Sequence, residues 1–151
     1  MKHKDSNCDF IAERNADILR AYKEIISVRD NISLTEIAQQ IAVSPSKRFW
    51  VSEERAYNAV CWLDRGDKLD HMIPTRKRMF LEIYRRYKIL SNGHPSLAKK
   101  DIVFRVCNEE APSFYLTPKS VLVILHKARK EEKRRCYEQR KRRLRFMLGT
   151  L

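Results

Sequence analysis

Arginine and lysine are the residues of this chain best placed to do chemistry, and that chemistry is the neutralisation of phosphate. Their densest run closes the sequence: Lys127, Arg129, Lys130, Lys133, Arg134, Arg135, Arg140, Lys141, Arg142, Arg143 and Arg145. Three shorter clusters precede it: Arg76, Lys77 and Arg78, then Arg85, Arg86 and Lys88, then Lys99 and Lys100. Cations gathered this densely displace the counterions of a polyanion, so their expected work is steeply salt-dependent contact with a nucleic-acid backbone. Base reading has fewer candidates. Arg55 and Asn58 carry the donors and acceptors that recognise guanine and adenine edges. Lys119 opens the corresponding later segment, and Lys47 and Arg48 stand just before an aromatic pair.

Other chemistries find no comparable pattern. His3, His71, His94 and His126 have no serine, cysteine or carboxylate at a spacing that makes a nucleophile–base pair. Cys8, Cys61, Cys107 and Cys136 lie far apart, without the close pairs of a structural zinc site, and are expected to be reduced thiols. No glycine-rich phosphate loop occurs. No catalytic residue, metal, cofactor or small-molecule substrate is therefore expected. No membrane partner is expected either. There is no apolar run of spanning length and no secretory leader, and Leu144, Phe146, Met147 and Leu151 are too few and too terminal for surface docking. A cytoplasmic protein is expected, nucleoid-associated if it binds DNA.

The net charge of +13 is unevenly distributed. Residues 1–70 carry 11 basic and 12 acidic groups, residues 71–125 carry 10 and 4, and residues 126–151 carry 11 and 3. Duplex DNA is the first expected partner, ahead of RNA. An interaction adaptor whose basic tail meets an acidic protein is the competing class. The nearly neutral first part is left for a protein partner or self-association.

The elements that must position these residues are helices. Three glycines and five prolines leave long uninterrupted stretches. The chain also aligns with itself, without gaps, at one constant offset. Ile18, Arg20, Tyr22 and Lys23 fall on Ile83, Arg85, Tyr87 and Lys88, and Phe49-Trp50-Val51-Ser52 falls on Phe114-Tyr115-Leu116-Thr117. Each copy predicts three helices. Ser33 with Glu36 forms a capping box, Ser52 and Thr117 are N-caps, and Pro118 follows Thr117 where its missing N–H costs nothing. Thr75 is the expected cap of the fourth helix. The last helix meets no stop signal from Lys119 to about Phe146.

The expected fold is therefore all-α: two tandem three-helix repeats and a long basic C-terminal helix. The divisions are an extension over 1–13, repeats over 14–70 and 71–130, and a tail over 131–151. The order of helices over 14–65 and 78–130 resembles the helix-turn-helix class of DNA-binding domains, with a longer connection between second and third helices, from Val43 to Ser52 and from Asn108 to Thr117. The doubled block of proline, aromatic pair and capping hydroxyl is similar to that of an uncharacterised family of short bacterial proteins. That resemblance implies the duplicated helical fold and no particular activity. Phe49-Trp50 and Phe114-Tyr115 are expected to brace the core beside the caps, with base stacking as the alternative.

Overall fold

The computed structural model describes residues 8–149. Six helices account for its regular structure: Cys8–Val28 (α1), Leu34–Ala42 (α2), Glu53–Asp64 (α3), Pro74–Gly93 (α4), Lys99–Cys107 (α5) and Pro118–Met147 (α6). The protein is all-helical. Residues 1–7 of the expected extension, and Leu151, lie outside the described residues. The rest of that extension, from Cys8, is the start of α1 rather than a separate segment.

The helix boundaries follow from local chemistry. Ser33 Oγ accepts from the Glu36 amide at 3.2 Å while Glu36 Oε2 accepts from the Ser33 amide at 3.4 Å. Ser52 Oγ and Thr117 Oγ1 cap α3 and α6 by accepting from the amides of Arg55 and Ser120. One expected cap is corrected. Thr75 lies inside α4, whose first residue is Pro74 behind Ile73. Proline's fixed φ and absent N–H suit that first position and make a side-chain cap unnecessary there.

Packing does not follow the order of the chain. α3 lies against α4 and α5, and α6 lies against α1 and α2. Neither α3 nor α6 packs on the two helices that immediately precede it in the chain. One core joins Ile18, Ile37, Ala38 and Ile41 to Phe114, Val121 and Leu125. The other joins Phe49, Ala56 and Val60 to Phe80, Ile83, Ile102, Val103 and Val106. The ranges 14–70 and 71–130 thus describe succession along the chain, whereas each core draws on both.

The connections from Val43 to Ser52 and from Asn108 to Thr117 cross between the two cores, and these crossing segments hold the pairing reciprocally. Ser46 and Ala111, which correspond in the self-alignment, exchange two backbone hydrogen bonds of 3.0 Å. The Phe49 amide donates to the Cys107 carbonyl at the end of α5, and Ser113 Oγ donates to the Ala42 carbonyl at the end of α2. Each crossing segment therefore satisfies a carbonyl that a helix C-terminus would otherwise leave open. The aromatic blocks are exchanged as well. Phe49 fills the α4–α5 core, Phe114 fills the α1–α2 core, and Trp50 and Tyr115 are half-buried.

Asp17 ties α1 to the first crossing segment. It is 2% exposed, and its carboxylate accepts from Arg20 at 2.6 Å, from the Lys47 amide at 2.9 Å and from Trp50 Nε1 at 3.1 Å. These donors are what allow a charge to sit inside the protein. At the corresponding position of α4, Glu82 accepts two hydrogen bonds from Arg85 and one from Arg86. The Arg85 hydrogen bond holds the Glu82 carboxyl below the usual carboxylate range. Burial opposes this and Arg86 reinforces it.

Cys61, Cys107 and Cys136 are free thiols. Burial pushes the Cys107 thiol up to about 12. The folded chain keeps this proton at pH values where the unfolded chain has lost it, so stability falls as pH rises through the interval from about 9 to 12. Thermal unfolding is expected to show the native chain losing about 1 kcal/mol per pH unit more than Cys107→Ala across this interval. Parallel curves for the two proteins would remove the Cys107 contribution.

Candidate nucleic-acid interface

The exposed half of α6 follows from where its apolar residues stop. Val121 and Leu125 enter the core with α1 and α2, and Ala128 and Arg129 are half-buried. Every residue from Lys130 to Gly149 is exposed. Lys23 Nζ meets Glu132 Oε1 at 3.2 Å near the base of this segment. At the helical rise of about 1.5 Å per residue, Lys130 to Met147 extends about 27 Å past the body as a single helix.

Helical geometry sorts the exposed side chains. At about 3.6 residues per turn, Lys130, Lys133, Arg134, Tyr137, Arg140, Lys141, Leu144 and Arg145 share one side. Glu131, Arg135, Glu138 and Arg142 share another, with opposite charges at i,i+4. Arg143 lies between them on the far flank. The first side carries six cations and no carboxylate. Nothing packs on it among the described residues, so helix propensity and the i,i+4 charge pairs maintain the segment as helix.

The cations on the body are differently employed. Arg48 and Arg86, expected as phosphate contacts, both bond to the crossing segments or the residues beside them. Arg48 lies 4.4 Å from the Phe10 ring centre and donates to the carbonyls of Phe49 and Val51 and to Asn108 Oδ1. Arg86 lies 5.0 Å from the Phe49 ring centre and donates to Glu82, Glu109 and the Glu110 carbonyl. These groups already have partners, and a phosphate would have to displace them.

Arg85 is occupied by Glu82, Lys77 by Asp70 at 2.7 Å, and Lys99 by Asp64. Lys88 lies 5.1 Å from the Tyr84 ring centre and Lys100 5.5 Å from that of Tyr57, both with exposed side chains. Lys47, Arg78 and Lys119 are exposed on separate elements. Among the described residues, the α6 cations form the longest run of exposed basic side chains on one element.

The expected base readers have another setting. A recognition helix works by standing on the helix before it and presenting its far side to a groove. Here α3 stands on α5, and Arg55 and Asn58 line a cavity between the two cores together with Arg76. Arg14 of α1 lines the same cavity and was missed by attention to charge clusters. Its signal is positional: it stands one turn before Ile18 on the stripe that α1 buries. Asp17, beside Ile18, carries a similar signal, a charge at the edge of an apolar face.

Among the described residues, no three His, Cys, Asp or Glu side chains converge as a metal site would need, and no helix is long and apolar enough to cross a membrane. No family model, curated protein or solved structure matches the chain.

Proposed function

We propose that this chain is a nucleic-acid-binding accessory or regulatory protein that grips the phosphate backbone of duplex DNA with the exposed half of α6. The observation that carries this reading is the side of α6 from Lys130 to Arg145. It has six cations and no acid, free of the body for more than four turns. A lone helix is about 10–12 Å across, and the DNA major groove is about 12 Å wide, so the segment fits where both phosphate walls are within reach of lysine and arginine.

The two exchanged cores then act as a rigid base for α6, anchored through Val121 and Leu125. We further read the chain as a tandem duplication whose copies have diverged in task. α3 ends where its core ends at Asp64, while α6 continues to Met147, far beyond its last buried position at Leu125. An acidic protein or structured RNA offers the same charge without the same groove, and these alternatives are separated by experiment.

Fluorescence-anisotropy titration with a duplex of arbitrary sequence is expected to give log Kd rising linearly with log salt. The slope should correspond to about four to six neutralised phosphates, a loss of about 10²–10³ in affinity between about 50 and 200 mM salt. Structured RNA of equal length should bind more weakly, because its deep and narrow major groove does not admit a helix. No duplex binding at low salt, or a flat salt response, would sink the proposal.

A further inference from the structure

A cavity of about 280 Å³ opens between the two cores. Its lining includes Arg14, Arg55 and Arg76, the rings of Trp50, Trp62 and Tyr115, and, among the described residues, no carboxylate. These side chains come from α1, both crossing segments, α3 and the first turn of α4, so the cavity exists only because the third helices are exchanged.

Arg14 is the unusual member. Its Nε is closed off from solvent and has no hydrogen-bond partner among the described residues, while Nη2 makes one long contact of 3.4 Å with Asn15 Oδ1. Burial lowers its pKa from the ordinary arginine value. Arg14 as a whole is half-buried at the cavity wall, and a guanidinium this sparsely bonded leaves Nη donors for an anion. Arg76 points the same way, since no ion pair engages it among the described residues. The aromatic side chains supply flat apolar surface beside these charges, the combination that holds a ring at one end and its acid group at the other.

We propose that this cavity binds a small planar aromatic molecule bearing one anionic group, a phosphate or a carboxylate, with the anion on Arg14 and Arg76 and the ring among Trp50, Trp62 and Tyr115. The size agrees. At about 30 Å³ for each water-sized group, the space holds on the order of ten non-hydrogen atoms, one ring and one acid group. The ligand touches parts of both cores and therefore strengthens their attachment to each other. This site is separate from the exposed half of α6, and duplex binding can fail without bearing on it.

Trp50 and Trp62 are the two tryptophans of the chain, and both line the cavity. Their fluorescence therefore reports on occupancy. Phenyl phosphate added to the full chain is expected to change tryptophan emission saturably and raise the thermal midpoint. Inorganic phosphate alone and phenol alone should each bind about tenfold more weakly or worse. Arg14→Gln and Arg76→Gln should each weaken phenyl phosphate about tenfold. Arg76 lies at the exposed start of α4, so its variant keeps the test decisive if the Arg14 variant does not fold.

No saturable response up to about 10 mM phenyl phosphate overturns the proposal. So does an affinity unchanged in the folded variants. A single-stranded oligonucleotide that quenches the tryptophans and competes with phenyl phosphate overturns it too, by making the occupant a nucleotide of a nucleic acid.

Discussion

Residues 1–70 expressed alone are expected to yield no cooperatively unfolding monomer, although they contain the whole of α1, α2 and α3. In the whole chain α3 covers α4 and α5, not α1 and α2. The fragment therefore deprives α1 and α2 of Phe114, Val121 and Leu125, each less than 5% exposed in the intact protein. Burial of side chains of this size contributes about 1.5–3 kcal/mol apiece. Losing all three removes an amount comparable to the whole net stability of an ordinary domain, about 5–15 kcal/mol.

Ala56 and Val60 correspond to Val121 and Leu125 in the self-alignment and are equally buried. Two fragments can therefore share α3 in trans, and an intertwined dimer is the one folded form expected of the fragment. Light scattering after size exclusion, together with circular dichroism across a dilution series, separates the outcomes. A folded monomer would show that α3 can fold back on α1 and α2 and that its packing on α4 and α5 is not required.

The second large effect concerns α6. A chain ending at Ala128 is expected to remain folded and lose about 10²–10³ in duplex affinity near physiological salt. It keeps Val121 and Leu125, hence the whole of the buried part of the helix, so its thermal midpoint should move by only a few degrees. It loses ten cations and three acids. Because affinity scales with the phosphates neutralised, removal of about five contacts flattens the salt dependence along with the binding.

The sidedness of the helix provides the finer comparison. Arg134→Glu with Lys141→Glu should weaken binding more than Arg135→Glu with Arg142→Glu, although each pair changes the net charge equally. Equal losses would reduce α6 to an unoriented basic segment, and full affinity in the truncated chain would move the interface to the body.

How the positive charge is used was legible in some places and hidden in others. The run from Lys130 to Arg145 stands out because no apolar stripe accompanies it, and an all-polar helix has nothing to pack with. Arg48 and Arg86 look the same as their neighbours in sequence. Their partners are Phe10, Phe49, Asn108, Glu109 and the Glu110 carbonyl, brought to them by the crossing segments. Arg14 lies outside every basic cluster, yet it sits in the cavity with the arginines of α3 and α4.

Local order determined the helices and most of their ends. Periodic apolar residues, the Ser33 capping box, the Ser52 and Thr117 caps and the Pro118 start all act within a single turn, so their effects can be read from the chain itself. Even the displaced cap at Thr75 is a local matter, settled by the proline before it. The tertiary structure alone decided which helix completes which core. Helices that correspond in the self-alignment present nearly the same apolar faces, so α3 and α6 satisfy the pattern of either copy. The choice is made by the crossing segments, where Ser46 pairs with Ala111 and each segment caps a helix in the other half. That choice creates the cavity around Arg14 and directs the basic half of α6 away from the body.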